Sequence, residues 1–114
     1  MEFQQGLLLR AFVGEADRCE GEPLYKWLID RAHAEGLAGA TVLRGMEGFG
    51  ADGRVHTSRV MRLSTDLPLV VEMVDSEEKI EAFLALLDNV VDKGVITVEK
   101  IRYWPAAGDS DRSD

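Results

Sequence analysis

A chain of 114 residues, 46% apolar and 30% charged, has the size of one ordinary domain and enough apolar side chain to bury a core without crosslinks. Its formal net charge of −8 repels a polyanion, so nucleic acid is excluded as a general partner. That charge is uneven: from Arg44 to Leu63 the cations Arg44, Arg54, Arg59 and Arg62, with His56, outnumber Glu47 and Asp52, giving a basic, glycine-rich segment suited to a small anion.

In chain order, Leu7 to Val13 is apolar and alternating between Gly6 and Gly14 and reads as a first strand. Gly21 and Pro23 announce a helix from Pro23 to Glu35, stopped at Gly36, with Leu24, Leu28, Ile29 and Ala32 as its apolar stripe. Ala40 to Met46 reads as a second strand. A loop with Gly45, Gly48, Gly50 and Gly53 follows, and the chain returns through Val60 to Leu63 and Leu69 to Val74, broken at Asp66-Leu67-Pro68. Asp75-Ser76-Glu77-Glu78 has the pattern of a capping box, and Ile80, Phe83, Leu84, Leu87 and Val91 recur at helical spacing until Gly94. Val95 to Trp104 is the last strand, and 105–114 reads as a disordered tail behind a single domain of 1–104.

This order, βαββαβ, specifies an α+β, ferredoxin-like fold: a four-stranded antiparallel sheet with two helices on one face. Leu8, Phe12, Val70 and Val74 alternate against the other apolar positions of their strands, so the second face is apolar as well. An antiparallel sheet open to water is polar on its wet side, and a symmetric oligomer is the simplest cover.

The motifs favour binding over catalysis. Gly48-Phe49-Gly50-Ala51-Asp52-Gly53 fits G-x-G-x-x-G, but the polar, β-branched run after it is no helix start, so the dinucleotide reading fails; a plain hairpin loop or a phosphate-approaching loop helped by Arg54 or Arg59 remains. Lys93-Gly94 reads as a helix C-cap that could also offer N–H groups and charge to phosphate. His33 falls on the wet side of the first helix, and His56 has no histidine or cysteine near it to share a metal. Cys19, the single cysteine, forms no internal disulfide and lacks an oriented base, and Glu77, Glu78 and Glu81 are explained by a helix start and its exposed face. No catalytic or metal residues are expected. Without a basic leader, and with Leu7 to Leu9 too short to span a bilayer, the protein is expected in the cytoplasm with no direct membrane insertion.

Leu9-Arg10-Ala11-Phe12-Val13-Gly14-Glu15, Pro23-Leu24-Tyr25, the run from Glu35 to Gly45, Gly48-Phe49-Gly50, Arg54-Val55-His56-Thr57, Asp66-Leu67-Pro68, Val74-Asp75 and Val98-Glu99-Lys100 together resemble the PII-like domain-of-unknown-function family 190. The resemblance implies a homotrimer with its sheets turned inward and an adenine-nucleotide pocket in each cleft between subunits. Gly48-Phe49-Gly50 matches the Gly-Phe-Gly that lines the PII nucleotide site. Of the PII Gly-x-Gly-Lys only Lys93-Gly94 remains, and the Arg-x-Arg has no counterpart in register, which favours AMP or ADP over ATP. The implied nucleotide-binding set is Gly45, Gly48, Phe49, Gly50, Arg54, Arg59, Lys93 and Gly94. The implied function is a signal-transduction regulator, not an enzyme, with no obligatory cofactor; the nucleotide reorders the glycine-rich loop to regulate a partner protein, with a membrane transporter or channel as one candidate. The competing reading is a structural or metal-ion-linked trimer resembling the divalent-cation tolerance proteins.

Overall fold

The structure is a computed structural model that describes residues 1–49, 55–57, 66–92 and 94–105. Its main sheet comprises β1 (Gln4–Gly14), β4 (Gly39–Arg44), β7 (Pro68–Asp75) and β8 (Val95–Tyr103), in the order β4-β7-β1-β8 with every pairing antiparallel. The two ladders β2 (Arg18–Cys19) with β3 (Glu22–Pro23) and β5 (Glu47–Gly48) with β6 (His56–Thr57) are appendages. The helices α1 (Leu24–Ala34) and α2 (Glu77–Leu87) complete the α+β, ferredoxin-like arrangement.

Strand alternation settles the layers. Leu7, Leu9, Ala11 and Val13 of β1 and Leu69, Val71 and Met73 of β7 are buried, and they pack with Leu24, Leu28 and Ala32 of α1 and Ile80, Phe83 and Leu87 of α2. These are the positions that the helical and alternating periods pick out, so one face of the sheet and one stripe of each helix form a single core.

Local boundaries depart from the sequence reading for identifiable reasons. The first strand is longer than expected, because its ladder with β8 continues to Gln4 opposite Tyr103. Helix α1 ends one residue early at a Schellman turn, in which Gly36 (φ 75°) donates to the His33 carbonyl at 3.1 Å and Leu37 to the Ala32 carbonyl at 3.1 Å. The hairpin from β2 to β3 was not legible, because one of its two turn residues with positive φ is Glu20 (51°) beside Gly21 (82°), and glutamate gives no turn signal. The capping box does not form. Ser76 caps α2 by accepting from the Lys79 N–H at 3.2 Å, so position N3 is a lysine that cannot reciprocate. Helix α2 stops at Leu87, well before Gly94, which therefore is not its C-cap. Residues 60–63, part of the expected returning strand, and the expected tail after Pro105 lie outside the described residues.

On the open face, register puts Leu43, Val70, Phe12 and Val95 in one row, with Val74 and Leu8 in another, so the expected apolar second face is present. Phe12 is 39% and Leu43 49% exposed. Arg10 and Glu72, in the row between, and Glu99, opposite Leu8, form a charged cluster that the sequence did not suggest. Arg10 donates from Nε to Glu72 at 2.9 Å and from Nη1 to Glu99, spanning β7, β1 and β8. Hydrogen bonding to Glu72 first, and to Glu99 next, holds the guanidinium above its ordinary value.

Candidate functional site

The glycine-rich segment leaves the sheet at the end of β4, and its base is fixed by the backbone. The Gly45 N–H donates to the Pro68 carbonyl at 2.7 Å, and Glu47 and Gly48 then pair with Thr57 and His56, so the chain folds back on itself. Phe49 follows the ladder with 74% of its surface exposed, an open aromatic face beside a glycine backbone. Such a pair suits a flat ring stacked on the phenyl group, with N–H groups near its polar edge. Gly50, Arg54 and Arg59, three of the expected binding residues, lie outside the described residues, as does Lys93.

Gly94 enters β8 with φ 102°, and a Cβ placed there would run into the Phe12 carbonyl oxygen. Glycine is required by this close backbone approach and positive φ, a different reason from the helix cap expected of it.

Register locates these pieces relative to one another. Gly45 meets Pro68, Pro68 pairs with Gly14, and Gly94 directly precedes the Val95 that pairs with Phe12, so all lie at one end of the sheet. Yet β4 and β8 are its two opposite edges. Three strand spacings, roughly 14 Å, separate them. The fold brings Gly45, Gly48 and Phe49 together and keeps Gly94 apart from them.

Carboxylates and paired cations furnish the rest of this end. Arg44 is ion-paired with Glu15 on the turn after β1. Asp17 accepts from the Gly14 N–H at 2.9 Å and Asp66 from the Ala16 N–H at 3.1 Å. Two hollows lie elsewhere, on the helix layer. One of about 190 Å³ is lined by Glu35, Leu37, Lys79, Ala82 and Phe83, at the other end of the sheet and smaller than the roughly 300 Å³ at which small-molecule pockets begin. Burial, followed by the charges of Glu20 and Glu22, raises the Cys19 thiol and keeps it protonated, a poor nucleophile. Among the described residues no group of three or more His, Cys, Asp or Glu side chains could hold a metal, and no helix is long and apolar enough to cross a membrane.

The family model DUF190, uncharacterized ACR, matches residues 6–103. A UPF0166 protein from Aquifex aeolicus (strain VF5) is 42% identical over 94 residues, covering 82% of this chain and 89% of the relative. Among solved structures, CPII from Thiomonas intermedia K12, a nitrogen regulatory PII-like protein bound to ADP, AMP and bicarbonate, superposes with a TM-score of 0.66 at 15% identity, over 91% of this chain and 100% of that one. CutA1 from Oryza sativa superposes with a TM-score of 0.58 at 14% identity, over 95% and 88% of the two chains. Identities this low speak for the shared fold alone, whereas the family match runs from β1 through the end of β8: this chain belongs to the DUF190 family and has a PII-like, ferredoxin-like fold.

Proposed function

We propose that this protein is a PII-like cytoplasmic regulator, not an enzyme, that binds an adenine nucleotide in the clefts of a homotrimer. The observation that carries the reading is the split of the candidate site: Gly45, Gly48 and Phe49 stand at one edge of the sheet and Gly94 at the opposite edge of the same end. A single chain cannot close such a site. Copies arranged around an axis with their open faces inward set the β4 edge of one against the β8 edge of the next and complete it three times over. A fold neighbour carrying ADP and AMP supports the ligand class.

In this reading the Phe49 ring stacks on the adenine, N–H groups of Gly48 to Gly50 meet the base or ribose, and Arg54, Arg59 and Lys93 with Gly94 of the neighbouring copy hold the phosphates. Arg44 is engaged by Glu15, so the phosphate charge falls to those cations. With few of them, AMP or ADP is preferred to ATP. Occupancy reorders the glycine-rich segment and so changes affinity for a regulated protein, since a ligand shifts an equilibrium only by binding its two states differently.

Titration calorimetry with AMP, ADP and ATP, beside copper and zinc, tests the proposal. Binding of AMP or ADP at micromolar to submillimolar concentration, one per chain, supports it; no heat from any adenine nucleotide overturns it. The resemblance to CutA1 favours a second reading, a metal-ion-linked trimer without nucleotide. Heat from the metals alone would select it.

A further inference from the structure

We propose that covering the open face of the sheet takes up a proton into the Arg10–Glu72–Glu99 cluster, so that assembly of this protein tightens as pH falls. The inference rests on the trimer reading above, because the split site identifies a second copy as what covers the face.

Charge on the open face is unbalanced. On this face one guanidinium serves two carboxylates, Glu72 at 2.9 Å and Glu99, and the same face carries Leu8, Phe12, Leu43, Thr41, Val70, Val74, Val95 and Thr97. Among the described strand residues of the main sheet no other charged side chain shares it: Arg44 alternates to the helix side of β4, Lys100 and Arg102 to that of β8 and Asp75 to that of β7, while Asp17 and Asp66 stand at Gly14 at the far end of the face and the Tyr103 ring lies against Gly6. The cluster therefore carries one negative charge in excess. Water tolerates the excess while the face is open, since the side chains are 33%, 30% and 56% exposed for Arg10, Glu72 and Glu99.

A second copy removes that water and brings the same excess with it. Burying an unbalanced carboxylate costs far more than protonating it near neutral pH, so the covered cluster holds one guanidinium, one carboxylate and one carboxylic acid. The assembled state thus binds one proton more per copy than the open one, and mass action gives the sign: assembly is favoured as pH falls and weakened as it rises. At full linkage the constant for joining three copies changes by up to about a thousandfold per pH unit.

The whole chain is acidic and repels itself less at low pH, so the test must separate the cluster from overall charge. Assembly constants of the intact protein, Glu99→Gln, Glu72→Gln and Glu81→Gln are measured by sedimentation between pH 5.5 and 8. Glu81→Gln removes the same charge from the exposed side of α2. The proposal expects assembly of the intact protein to weaken as pH rises, at least one of the two cluster variants to assemble tenfold or more tightly at pH 8 with a flattened profile, and Glu81→Gln to follow the intact protein. An assembled but pH-independent protein, or cluster variants no different from Glu81→Gln, overturns the proton uptake and leaves the trimer standing. A monomer at every pH and concentration overturns the trimer reading itself.

Discussion

Where β7 runs into α2, a single carboxylate gathers the chain. Asp75 accepts from the Ser76 N–H at 2.5 Å and the Ala38 N–H at 2.8 Å, hydrogen-bonds Tyr103, and has the Lys79 ammonium 3.8 Å away, while Lys79 also donates to the Gly36 carbonyl at 2.9 Å. The strand β7, the link from α1 to β4, the start of α2 and the end of β8 are tied there through side chains. The opposite end is held by contacts spread over several short links, with Gly45 on Pro68, Gly94 against Phe12, Asp17 on Gly14 and the Arg44–Glu15 pair, and Phe49 stands out into solvent. A nearly buried carboxylate with several donors stabilises, because each partner left alone loses its bond and stays dehydrated. Exposed aromatic surface and glycine backbone add little stability, and they suit a surface that binds.

If that division is right, substitutions at the two ends separate stability from binding. Asp75→Ala, the largest effect, strands two N–H donors and should cost about 2 to 4 kcal/mol, a fall in melting temperature on the order of 10 °C, while AMP affinity below the melt stays within about twofold. A large loss of affinity in this variant would break the division. Gly94→Ala should cost about 1 to 3 kcal/mol, because a Cβ meets the Phe12 carbonyl and a positive φ strains alanine. Since Gly94 also belongs to the proposed site, calorimetry should register weaker AMP binding alongside the lowered melt.

Phe49→Ala should leave the melt unchanged within about 0.5 kcal/mol, as the ring is 74% exposed, yet weaken AMP binding roughly tenfold through lost stacking. Unaltered affinity would remove Phe49 from the site. The smallest effect concerns alkali. Burial, then the charge of Asp75 and a hydrogen bond to it, raise the Tyr103 hydroxyl above its ordinary value of 10. The folded state therefore holds that proton more tightly than the unfolded chain. Its contribution is complete below pH 10 and is lost as pH rises through the raised value, so melts above pH 10 should fall more steeply for the intact protein than for Tyr103→Phe.

Periodicity made both helices and the four strands of the sheet legible, because an amphipathic stripe and an alternating strand are written residue by residue. The stripe of Ile80, Phe83 and Leu87 and the alternation from Leu7 to Val13 all reappear as buried core. Caps were read less well. Asp75 and Ser76 are both acceptors, and only their placement shows that Ser76 caps the helix while Asp75 turns to Ala38. Of the candidate site, the glycines drew the Gly45 to Phe49 segment out of the sequence, and Gly94, expected as a helix C-cap, is instead required by its positive φ and its close approach to Phe12.

The sequence by itself determined the order of the two helices and the four strands of the main sheet, the apolar second face and the family, since each depends on neighbours along the chain or on motifs carried in it. Tertiary structure alone decided which strands are edges. That decision sends Gly45 and Gly94 to opposite sides of one sheet end and sets Arg10 between Glu72 and Glu99, partners 62 and 89 residues away. Register between strands so distant is fixed by the packing of the whole core, where a slip of one residue would turn every buried side chain of a strand out to water.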